Sequence, residues 1–139
     1  MKKLFMNASL VALCGILSGC VTSKEPGSSV VAMVAPSSKY DGAFSKGEMT
    51  VRSGPCPQLS WGSVVINNGQ VSGNIAAGSW AFRVSGLVDE AGTFHQLQAS
   101  GSAATVSMTG KFTDPKTAAG DWSSFGNASC SGAWKLSKG

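Results

Sequence analysis

The pattern apolar-x-Gly-x-apolar recurs along this chain and constrains its fold more than any other feature. It appears at Tyr40-x-Gly42-x-Phe44, Val71-x-Gly73-x-Ile75, Val84-x-Gly86-x-Val88, Met108-x-Gly110-x-Phe112 and Cys130-x-Gly132-x-Trp134, with a weaker case at Ala118-x-Gly120-x-Trp122. Alternate residues of a strand face one side of a sheet, so each glycine shares the inward face with its apolar neighbours. A glycine inside a strand marks a sharp bend or the close approach of another segment. Repeated in most strands, it predicts a tightly coiled sheet closed into a narrow, filled barrel, with aromatic rings occupying the space over the glycines. The competing arrangement is a flat β-sandwich.

Turn chemistry sets the number of strands. Asn68-Gly69 is a two-residue hairpin signal, because both central residues must accept positive φ. Asp89-Glu90-Ala91-Gly92 and Asp114-Pro115-Lys116 are further turns, and Gly54-Pro55-Cys56-Pro57 is a rigid corner. Eight strands are predicted near 40–52, 61–67, 70–76, 79–88, 93–99, 104–113, 118–124 and 129–137. Short strands joined by short turns give an all-β fold, a small eight-stranded antiparallel up-and-down barrel. Arg83, Ser85, Ser107, Thr109, Lys111, Ser131 and Lys135 fall on the outward phase. A membrane-spanning barrel has the reverse pattern, apolar outside and polar inside.

The first twenty residues follow other rules. Lys2 and Lys3 form a short basic region. Leu4 to Leu17 is apolar apart from Asn7, Ser9 and Gly15, and Ser18 and Gly19 lead into Cys20. The run is too short for a permanent transmembrane helix and reads as a removable export signal. Leu17-Ser18-Gly19-Cys20 resembles the lipobox of bacterial lipoproteins. That resemblance implies cleavage before Cys20 and acylation of Cys20, with palmitate-type chains anchoring the protein. Two or three chains hold a protein on a membrane where one binds only marginally. Val21 stands where an Asp retains lipoproteins of that family on the inner membrane, which implies the outer membrane.

The expected domains are therefore a signal peptide at 1–19, a lipidated Cys and flexible tether at 20–39, and a barrel at 40–139. Pro26, Gly27, Pro36 and several serines oppose regular structure in residues 21–39, which as a flexible chain would span about 25 Å. Within the tether, Val30 to Ala35 is wholly apolar. Val30, Val31, Met33 and Val34 form a candidate partner-docking segment, and packing on the barrel or plain linker is the competing reading. Of the 11 basic side chains, Lys2 and Lys3 lie in the signal; the remainder exceed the seven acidic ones by two. So small an excess gives no case for nucleic acid.

Processing would also simplify the cysteines. Cys14 would leave with the signal and Cys20 would be acylated, which leaves Cys56 and Cys130. In an oxidising compartment such a pair reads as a disulfide, with free thiols or a metal pair as the alternatives. In an up-and-down barrel, strand one ends on the rim where strand eight begins. A Cys56–Cys130 bridge would staple that seam and stabilise the fold by about 4 kcal/mol.

Chemistry-bearing constellations are scarce. His95 lies in the strand of poorest alternation, with no local Cys or carboxylate partner expected, and reads as a surface histidine. Asp89 and Glu90 are explained by a turn. No nucleophile elbow, phosphate loop or metal-ligand spacing is present, so no catalytic residue, metal or cofactor is expected. Trp61, Trp80, Trp122 and Trp134 could line a ligand site, but at least three share the apolar phase and read as core. Arg52, Arg83, Lys111 and Lys135 are a candidate cationic patch for anionic polysaccharide, set against scattered solvated charge.

The expectation is a non-enzymatic outer-membrane lipoprotein with an interaction, surface-display or envelope-structural role. Its partner would be an envelope protein, a protease or a polysaccharide. The size, single disulfide and closed barrel also resemble the bacterial metalloprotease-inhibitor fold. That resemblance implies a periplasmic inhibitor acting through its N-terminal segment. A lipocalin-like carrier of a small ligand is a third reading.

Overall fold

The computed structural model describes residues 33–126 and 128–139, and the lipobox, Cys20, Val30 and Val31 lie outside them. A 3-10 turn at Ser38–Tyr40 precedes eight strands: β1 (Gly42–Ser53), β2 (Leu59–Asn67), β3 (Gln70–Ala77), β4 (Trp80–Val88), β5 (Phe94–Ser100), β6 (Ala104–Asp114), β7 (Thr117–Gly126) and β8 (Cys130–Lys138). Each strand pairs antiparallel with the next, and β8 returns to β1, so the sheet closes. The Asn68-Gly69 turn adopts positive φ at both residues, 50° and 72°. That geometry matches the twist of the flanking strands.

Closure depends on the glycines. Trp122 on β7 lies over Gly132 on β8, where a β-carbon would come 2.7 Å from the indole nitrogen and would collide with the Thr50 carbonyl. The same nitrogen donates to the Thr50 carbonyl on β1, at 3.2 Å. Trp134 mirrors this arrangement. It lies over Gly110, where a β-carbon would sit 2.5 Å from its ring, and it donates to the Thr109 carbonyl at 3.0 Å. Each indole thus reaches two strands away, across the glycine that faces it on the strand between: Gly132 for Trp122 and Gly120 for Trp134. Both tryptophans are buried and both indole N–H groups are satisfied. The buried Nε1 of Trp61 finds no acceptor among the described residues.

Two strands depart from simple alternation. Phe44 and Met49 both point inward although they are five positions apart, an odd offset that plain alternation would send to opposite faces. A bulge between Phe44 and Lys46 in the β1–β8 ladder absorbs the extra residue. On β5, Phe94 and Leu97 both face the core, and Gln96 between them takes φ 51°. The β4–β5 register shifts between Ser85 and Leu87, opposite that point. The poor alternation around His95 is therefore a bulge. Tyr40, which opens the first expected strand, instead belongs to the 3-10 turn and is buried there.

The seam between first and last strands runs from Phe44 against Lys138 to Ser53 against Ser131. Cys56 and Cys130 are bonded beside its end, with Cα atoms 6.0 Å apart. The free-thiol and metal alternatives fall. On the outer face Arg83, Ser85, Ser107, Thr109, Lys111 and Lys135 are exposed and Ser131 is half-buried, as the outward phase requires.

Candidate functional site

The barrel has two ends, and only one is filled. At the end where the chain arrives, residues before β1 are latched across the turns. The Ser37 amide donates to the Val88 carbonyl at 2.8 Å. The Ser37 hydroxyl donates to the Glu90 carboxylate at 2.7 Å. The Asp41 carboxylate accepts from the amides of Asn68 and Gly69, at 2.8 and 3.0 Å, and so ties the β2–β3 hairpin to the latch. These bonds seat Tyr40 over the core, stacked on Phe112 with ring centroids 4.3 Å apart. The aromatic series continues inward through Phe94 and Trp134 to Trp61. Aromatic pairs at these separations contribute beyond their buried area.

The other end is bounded by the corner after β1 and by the β3–β4, β5–β6 and β7–β8 turns. There the inward positions carry Ala77 and Ala104, with Ala103 and Ala128 in the turns beside them. These side chains are too short to meet across the barrel. A cavity of about 200 Å³ remains, walled by Leu59, Phe82, Val106 and Trp122 and edged by the Cys56–Pro57 corner. Trp80 lines the mouth with half its surface exposed. Phe125, on the same rim, is also exposed. Ser124 supplies the polar atom of the wall, and its bonds are taken: the hydroxyl donates to the Ala128 carbonyl at 3.0 Å and accepts from the Cys130 amide at 3.2 Å.

This geometry revises the reading of the tryptophans. Trp122 and Trp134 are core, and Trp61 packs half-buried against it, but Trp80 is not core. It begins β4 at the open rim, with half its surface exposed. The alanines at inward positions 77 and 104 were the sequence signal for a hollow end, since one strand phase should otherwise carry bulky residues throughout.

His95 also differs from expectation. Its Nε2 lies 2.7 Å from Asp89 Oδ2, so it does have a carboxylate partner. Asp89 reaches back across the β4–β5 turn, and its other oxygen accepts from the Thr93 amide at 2.9 Å. The His95 hydrogen bond, followed by the Thr93 amide, holds the Asp89 carboxyl below the usual carboxylate range. Both side chains are about a quarter to a third exposed, at 24% and 31%. The pair closes a turn and leaves no cleft for a reacting group between its members.

The remaining candidates are dispersed. Met33 is almost fully exposed and Val34 partly so, and neither joins the sheet. Arg52 is paired with Asp121 at 2.9 Å. Lys111 and Lys135 flank Ala119 from the two neighbouring strands, while Arg83 lies across the barrel on β4 opposite Asn74 and Ser100. The four cations therefore form no single patch. Comparison with protein-family models, with curated proteins and with solved structures found no significant match.

Proposed function

We propose that this chain is a non-enzymatic outer-membrane lipoprotein, tethered through acyl chains on Cys20, whose barrel acts by binding an envelope partner. The observation that carries the reading is the basic, apolar and small-residue leader ending in Leu17-Ser18-Gly19-Cys20. Ser37 to Asp41 are fixed on the closed end of the barrel, so the chain enters the barrel at that end. A binding role is supported by where the acidic groups are spent: Asp41, Asp89 and Asp114 hold turns, and Asp121 holds Arg52.

Labelling cells with radioactive palmitate and fractionating the envelope tests this. Label on the protein in the outer-membrane fraction, lost on Cys20→Ser, is the expected result. An unlabelled protein whose mature N-terminus is not Cys20 would overturn it.

One observation favours a second reading, the periplasmic protease inhibitor. Met33 and Val34 stand exposed directly before the Ser37 latch, so an apolar segment is presented beside a rigid body. Deleting residues 30–34 would abolish inhibition of metalloproteases on this reading and leave palmitate labelling unchanged.

A further inference from the structure

We propose that the open end of the barrel is a binding site for one small, uncharged, apolar molecule about the size of a single aromatic ring. The proposal stands on the cavity alone and does not depend on the lipoprotein reading.

Size is the first argument. The cavity holds about 200 Å³. A dry apolar cavity of roughly 150 Å³ lined by aliphatic and aromatic side chains is enough to take up benzene. One ring with a short substituent fits, and a sterol or a full acyl chain does not.

Chemistry is the second. The wall is built from Leu59, Phe82, Val106 and the Trp122 ring, with alanines between them. Among the described residues no charged side chain lines it. The Ser124 hydroxyl spends its one hydrogen on the Ala128 carbonyl and accepts from the Cys130 amide, so it offers a ligand no donor. A carboxylate or ammonium would lose its hydration without compensation.

Construction is the third. The opposite end shows that this fold can be filled to the rim by one aromatic ring, Tyr40, stacked on Phe112. At the open end Trp80 has its ring at the edge of the cavity and half in water. An incoming ring covers that face and supplies the packing that the alanines leave out. The disulfide holds the Cys56–Pro57 corner as one side of the mouth, so the cavity is formed before the ligand arrives.

Met33–Gly139 is a compact unit that contains the whole barrel, its core and the disulfide, and it is the protein to test. Toluene is the probe and benzoate its charged counterpart. Toluene should shift the indole N–H signals of Trp80 and Trp122 in a saturable way, with a dissociation constant on the order of 1 mM or tighter. Benzoate should bind at least tenfold more weakly. Ala104→Phe should fill the cavity and weaken toluene binding at least tenfold while the spectrum stays dispersed. Ala128→Leu serves the same purpose if Ala104→Phe does not fold. Shifts that fail to saturate, benzoate binding equal to toluene, or an unchanged constant in the filled variant would overturn the proposal. None of these results bears on palmitate labelling, so the two readings fail separately.

Discussion

At one end of the barrel the chain folds back over its own core; at the other, the same strands end in alanines around a hole. The closed end is held by Tyr40 on Phe112, by Ser37 on Val88 and Glu90, and by Asp41 on the hairpin amides. All of these contacts are non-covalent, and together they exclude water from the core. The open end has little to pack together and is held by the Cys56–Cys130 bond. A domain this small has few apolar contacts to spare. The covalent staple lies where packing is thinnest, and the aromatic stack lies where no staple exists. Function is expected at the open end because stability there does not depend on filling the space.

The largest effect should come from cutting the staple. Cys56→Ser with Cys130→Ser releases the long loop between them and should lower stability by about 4 kcal/mol in urea unfolding. Amide exchange should rise first around the open end, while the Ser37 and Gly69 amides keep their protection. Simultaneous loss at both ends would show that the ends are not independent. Next is Tyr40→Ala. It removes a buried ring from a stack and should cost about 3 kcal/mol, with exchange rising at the closed end alone. Gly110→Ala acts between the ends. Its β-carbon would push against the Trp134 ring and the Ala119 carbonyl, at an expected cost of about 2 kcal/mol read by thermal melting.

How much of this was legible in the sequence follows from how local each signal is. Asn68-Gly69 encodes its own turn, because the required φ values belong to those two residues. The glycine repeat encodes closure, because each glycine is in phase with the apolar residues beside it. The Cys56–Cys130 seam follows from eight strands and their order. What escaped is set across strands. The slip at Gln96 depends on the Ser85–Leu87 shift in the facing strand, and neither half shows it alone. Tyr40 reads as the start of a strand until the Asp41 carboxylate is seen holding Asn68 and Gly69. Trp80 has the composition of a core residue, but it stands half-exposed at a mouth that it lines together with the short side chains of Ala103 and Ala104. The site was the harder part to read because it consists of space, and the residues that create it are small.

The smallest effect, and the most selective for the closed end, is electrostatic. Asp89 holds Thr93 and His95 across the turn that also carries Glu90, the partner of Ser37. Its carboxyl is held below the ordinary range by the His95 hydrogen bond and then by the Thr93 amide. A group whose folded pKa is lowered stabilises the fold fully above its unfolded value, about 3.9 for Asp, and loses that contribution as pH falls through the folded value. Asp89→Asn should therefore cost about 1 kcal/mol at pH 6. The gap between the variant and the parent should narrow as pH drops from about 5 to about 2, because the parent then protonates the same carboxyl. Urea melts of both proteins at those pH values measure it. A gap that stays constant would mean that Asp89 contributes through turn geometry and not through its charge. The toluene constant of the open end should be the same in both proteins at pH 6, since the cavity and the β4–β5 turn lie at opposite ends of the barrel.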